Sequence, residues 1–170
     1  MCKLKLKHLF FLVVIAFSFS CARKQDDKAL VIDETLLKKE INDFMNQWHK
    51  DAAKADTVFF DKMAANGVYI GTDKNELWTR DEFKKWAKPF FDRKSAWSFT
   101  PTQRNIYFSD DKNYAWFDEL LDTWMGVCRS SGVLKRKNDT WEISHYQLSV
   151  TLPNDAVKEF LKLVSAYDKK

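Results

Sequence analysis

Three side chains stand out as able to move a proton or hold a charged group: Arg104 in "TQRNIYF", Glu119 in "YAWFDELLD" and His145 in "TWEISHYQLSV". A carboxylate and an imidazole can serve as base and acid, and a guanidinium can stabilise developing negative charge. All three lie in segments that alternate apolar and polar residues. Which faces of which strands they occupy therefore decides whether they meet.

The turns set the strand pairing. A two-residue turn at Asp111-Lys112 within "SDDKN" brings Arg104 opposite Glu119, an opposite-charge pair of the kind cross-strand pairing favours. A turn at Asn138-Asp139 sets Arg136 opposite Trp141, Leu134 opposite Ile143 and Gly132 opposite His145. A tight "MGVC" turn sets Glu119 opposite Leu134. Period-two alternation then gathers Arg104, Phe117, Glu119, Ser130, Gly132, Trp141, His145 and Gln147 on one face, apolar at one end and polar at the other. These eight are the expected pocket lining, with Gly132 leaving room beside the imidazole. Glu119, His145 and Arg104 are the candidate catalytic residues. The competing reading is structural: an Arg104–Glu119 pair that holds the sheet, with His145 as a hydrogen-bonded wall. Asp118 falls on the opposite face with Tyr107, Trp116, Val133, Tyr146 and Leu148, a surface apolar enough to require the C-terminal helix or a second subunit.

Other constellations carry less. Ser130 and Ser131 with His145 lack an acid in the relation that a triad requires. Asp73 and Glu76 in "GTDKNE" have no histidine near them in sequence and fit a capped turn, so no metal is expected. "YIGTD" holds too little glycine for a phosphate loop, and no cofactor is expected. Cys128, in "GVCRSSG", reads as a small strand residue.

The elements that position these residues follow from periodicity. Leu37, Ile41, Phe44, Met45, Trp48, Ala52 and Ala55 form the buried stripe of a first helix, with His49 at its edge as a packing or supporting group. A second, short helix is expected through "TVFFDKMAA", capped by Asp56 and ended by Asn66-Gly67, with "VYIGT" as a strand after it. In "LWTRDEFKKWAKPFFDR", Thr79 and Glu82 are spaced as a capping box and Trp78 with Phe83 as a hydrophobic staple. Pro89 ends or kinks that helix. Four antiparallel segments follow from about Ala96 to Thr151, and "PNDAVKEFLKLVSAY" closes the chain as a helix.

Composition bounds the whole. The 170 residues, 31% charged and 15% aromatic with only 4 Gly and 3 Pro, describe an ordered chain with one core. The start, "MCKLKLKHLFFLVVIAFSFSCARK", reads as a secretory signal over residues 1–20; its ending "SFSC" resembles a bacterial lipoprotein box, which implies an acylated Cys21 as the first mature residue, although Ser18 replaces the usual leucine. Residues 21–29 would be a polar tether and 30–170 the domain. Outside the signal, 25 basic residues face 24 acidic ones, so charge gives no support to nucleic-acid binding.

Helices, then a strand, a helix and a meander make an α+β order. "DFMNQWHKDAAKAD", "YIGTDKNELWTRDEF", "YAWFDELLD", "RSSGVL" and "TWEISHYQLSVTLPND" together resemble the SnoaL-like proteins of the nuclear transport factor 2-like superfamily, across about residues 35 to 156. The resemblance implies a cone in which helices pack into a strongly bent antiparallel sheet and leave a pocket at the open end. That superfamily contains isomerases, cyclases, dehydratases and non-catalytic binding or dimerisation modules, so the fold does not choose among them. The expectation is an envelope-anchored or secreted domain that binds a small, partly apolar ligand or a protein partner, with a homodimer through the sheet. The alternatives are an acid/base enzyme on a cyclic or enolisable substrate and a structural dimerisation module.

Overall fold

The computed structural model describes residues 33–167. The signal segment, Cys21 and the tether lie outside the described residues. The chain runs α1 (Glu34–Ala53), α2 (Val58–Asp61), β1 (Met63–Ile70), β2 (Leu77–Thr79), α3 (Arg80–Phe91), β3 (Thr100–Phe108), β4 (Tyr114–Thr123), β5 (Gly126–Lys137), β6 (Thr140–Val150) and, after a 3-10 turn, α4 (Val157–Tyr167). The expected α+β architecture holds: a curved six-stranded sheet, in the order β2-β1-β6-β5-β4-β3, carries helices on its inner face. One pairing departs from the all-antiparallel expectation, since β1 runs parallel to β6.

Helix α1 begins at Asp33, whose carboxylate accepts the backbone N–H of Thr35 at 2.8 Å. Its stripe buries Leu37, Ile41, Met45, Trp48 and Ala52 against the sheet. Each of the larger side chains contributes about 1.5–3 kcal/mol by leaving water. Helix α3 starts at Thr79 with the complete capping box, and Trp78 stacks on Phe83 with centroids 5.5 Å apart, the staple expected there. Pro89 sits inside its last turn, and the helix ends at Phe91.

The region after α1 is a correction. Helix α2 is a single turn, and Met63 already belongs to β1, so Asn66-Gly67 does not end a helix. It lies instead in an irregularity of β1, between the Met63–Ile143 and Val68–His145 pairs. Gly67 is needed there because a Cβ would lie 2.8 Å from the Ile143 carbonyl oxygen and 2.9 Å from that of Ala64.

The meander keeps the expected β3–β4 register, with Arg104 opposite Glu119. The β4–β5 turn lies at Trp124-Met125, not "MGVC", so Glu119 faces Ser130 and not Leu134. That slip is two residues along each strand, which preserves parity and leaves Ser130, Gly132 and Leu134 on the inner face. In β6, Arg136–Trp141 and Leu134–Ile143 pair as expected, and then a bulge at Ser144 shifts the register by one. Tyr146, not His145, stands opposite Gly132, and every later side chain changes face.

Inside the curve lies an aromatic core. Trp48 stacks on Phe59 at 4.4 Å, Tyr69 on Phe83 at 3.8 Å, and Tyr146 meets Trp48 edge-on at 4.7 Å.

Candidate functional site

The expected pocket divides into parts that the fold keeps together and parts that it sends elsewhere. Glu119 is fully buried on β4. Its carboxylate accepts hydrogen bonds from His49 Nε2–H at 2.9 Å, Ser130 Oγ–H at 2.9 Å and Arg104 Nε–H at 2.8 Å, with Arg104 Nη2 at 2.6 Å. Arg104 is itself sealed, and its Nη1 donates to the side-chain oxygens of Asn42 and Asn46, both at 3.0 Å, and to the Asn42 carbonyl at 3.3 Å. Helix α1 thus supplies His49, Asn42 and Asn46 on one edge of its buried stripe, and the sheet supplies the ion pair. Burial pushes the Glu119 carboxyl up, but His49 and Arg104 more than reverse this and hold it below the usual carboxylate value. The product is an ionised, saturated carboxylate.

His145 is not part of this group. The bulge turns it to the outer face of the sheet, beside Val133 and Val68, where it is half-buried. Gln147 is exposed on that same face for the same reason. Tyr146 and Leu148, expected outside, are buried within. Gly132 opens no cavity either, because a Cβ there would lie 2.6 Å from the His145 carbonyl oxygen and 2.8 Å from the Phe117 ring. Phe117 and Trp141 are core residues. Of the eight expected lining residues, Arg104 borders a cleft, a polar one of about 450 Å3 shared with Asn42, Asn46, His49 and Lys50. His49, expected as a supporting group, is the acid's nearest imidazole, 70 positions away in sequence.

A second cleft, of about 350 Å3, lies between α3, the segment leading to β3 and the β4–β5 turn. Tyr69, Phe83 and Leu148 form its base; Trp78, Trp86, Phe90, Trp97, Trp124 and Met125 line its walls, with Glu76 among them. Helix α3 explains the shape: Phe83, Ala87 and Phe91 form the row that packs inward, while Trp86 and Phe90 form a second row, wider than burial requires. Trp86 lies 4.6 Å from Trp78 and 5.2 Å from Phe90, ring to ring. Trp124 is held out on its turn with 81% of its surface exposed. The signal in the sequence was this surplus of aromatic residues, above all a tryptophan at a tight turn.

Sequence and fold comparisons agree with this architecture. The SnoaL-like domain family model matches residues 41–153. The chain belongs to the SnoaL-like domain family. No curated protein matches it by sequence. Among solved structures, an NTF2-like protein of unknown function from Pseudomonas putida KT2440 is 13% identical and superposes with a TM-score of 0.59, over 72% of this chain and 92% of that one. A candidate scytalone dehydratase from Novosphingobium aromaticivorans is 11% identical, with a TM-score of 0.57 over 70% of this chain and 87% of that one. The association domain of C. elegans CaMKII is 16% identical, with a TM-score of 0.56 over 69% and 98%. At these identities the likeness is one of fold. Within this SnoaL-like domain the inner face is filled largely by aromatic side chains, and the tryptophan cleft and the polar cleft open beside it.

Proposed function

We propose that this SnoaL-like domain binds a small, partly apolar ligand in the aromatic cleft, and that it does so at the cell envelope, carried on an acylated Cys21. The observation that carries the binding reading is the concentration of tryptophan: four of the seven, Trp78, Trp86, Trp97 and Trp124, border one cleft. Exposed rings cost solvation unless something covers them, and a pocket of this volume with mostly apolar walls suits a drug-sized or smaller molecule. Proton transfer by Glu119 has less support, because its oxygens are occupied by three buried donors and its charge is stabilised. The cluster instead ties α1 to the sheet.

The test is an NMR titration of the seven indole N–H signals with a library of small neutral and charged molecules. The expected result is shifts in Trp78, Trp86, Trp97 and Trp124, with Trp48 and Trp141 in the core unmoved. A library that leaves all four cleft signals unchanged refutes the binding site.

A second reading rests on the outer face of the sheet. Tyr107 and Trp116, each nearly half exposed, stack at 6.0 Å on that face, and α4 buries none of its residues. A homodimer through this face would cover the aromatic pair. Sedimentation equilibrium of the Trp116→Asp variant against the wild type tests it: an unchanged mass rules this interface out.

A further inference from the structure

The chemistry of the aromatic cleft narrows the ligand further, on the reading that this cleft is the binding site. Its lining includes one carboxylate, Glu76, and, among the described residues, no lysine, arginine or histidine. An aromatic face carries the negative side of the ring quadrupole, so several indoles around one space attract positive charge. Phe90 gives an internal example: the Arg93 guanidinium, outside the lining, lies over its ring, 4.8 Å from the centroid.

Glu76 is placed by the backbone around it. The Asp73 N–H donates to its carboxylate at 3.2 Å, and Gly71 N–H donates to its main-chain carbonyl at 2.9 Å. Gly71 leaves room for the side chain: a Cβ at that position would lie 2.1 Å from Glu76 Oε2 and 2.9 Å from its Cβ. The negative charge also reaches the base of the cleft, where burial first and Glu76 second push the Tyr69 phenol well above its ordinary value.

We propose that the cleft takes an organic cation of the tertiary or quaternary ammonium class, its alkylated head among Trp78, Trp86, Trp97 and Trp124 and its charge balanced by Glu76. A neutral guest of the same shape would gain the contact area but neither the quadrupole nor the carboxylate. An anion would meet both as repulsion.

The experiment is a tryptophan fluorescence titration of the full chain at low salt with choline and benzyltrimethylammonium, and with 3,3-dimethylbutan-1-ol, the neutral carbon analogue of choline. The expected result is binding of the cations at least about tenfold tighter than of the alcohol, in keeping with cation–aromatic contacts reinforced by a partly shielded carboxylate. Glu76→Gln should weaken the cations about fivefold or more and leave the alcohol unchanged, with circular dichroism confirming the fold. Trp124→Ala should weaken all three. Equal or tighter binding of the alcohol, or cation affinity unchanged in Glu76→Gln, overturns the cation assignment while leaving the pocket intact. If neither the cations nor the alcohol perturb the fluorescence, the pocket reading falls as well.

Discussion

Replacing Glu119 by Gln keeps the side chain's shape and one oxygen acceptor and removes the charge. The Arg104 guanidinium, with 4% of its side chain exposed, then loses a counter-charge at 2.6–2.8 Å and cannot recover it from water. Breaking a buried pair from one side costs about 3–5 kcal/mol, because the remaining ion is left uncompensated. For a domain of this size that corresponds to a fall in Tm of roughly 10–15 °C. Arg104→Met strands the carboxylate instead, with only His49 and Ser130 still donating to it, and should cost a similar amount. The double variant removes both charges and retains the Gln oxygen for those two donors. Its loss should therefore fall short of the sum of the single losses by about 2 kcal/mol or more. Urea unfolding followed by circular dichroism, with the midpoint and slope fitted for all four proteins, gives the cycle. Additivity within about 0.5 kcal/mol, a common threshold for independent sites, would refute the coupled, sealed cluster.

The same carboxylate gives a pH dependence. Its folded pKa is depressed below the ordinary 4.5, so its contribution is complete above that value and is lost as pH falls through the folded pKa; wild-type stability should drop in acid more steeply than that of Glu119→Gln in urea midpoints taken from pH 7 to 3. Gly132→Val should destabilise by about 2–3 kcal/mol in the same assay, since its side chain has to displace the Phe117 ring and the His145 carbonyl. His145→Ala should change stability by less than about 1 kcal/mol and leave ligand titrations of the aromatic cleft unaltered, because the imidazole lies on the outer face. Cys21→Ser should abolish palmitate labelling and move the protein from the membrane fraction to the soluble one; a wild type that is already soluble and unlabelled would remove the lipoprotein reading.

What the sequence determined by itself was local. The α1 stripe, the Thr79–Glu82 capping box with its Trp78 staple, and the turn that sets Arg104 opposite Glu119 depend on residues within a few positions of one another or across one tight hairpin. Their energetics are complete at short range, so propensity and periodicity suffice to read them. The β4–β5 turn lies two residues before the expected one, which gives Glu119 a new partner in Ser130 but keeps each side chain on its expected face, because strand faces repeat every two. Tertiary structure decided the rest. The Ser144 bulge lies where β6 also pairs with the irregular stretch of β1 and Gly67 comes close to the Ile143 carbonyl, and one added residue is enough to exchange His145 for Tyr146 on the inner face. His49 finds Glu119 only after α1 packs across the sheet, an encounter that no spacing rule anticipates over 70 positions. Whether the concave face stays hollow is a matter of packed volume. Trp48, Phe59, Phe83 and Tyr146 fill it, and an aromatic cleft opens instead where the second aromatic row of α3 meets the Trp124 turn.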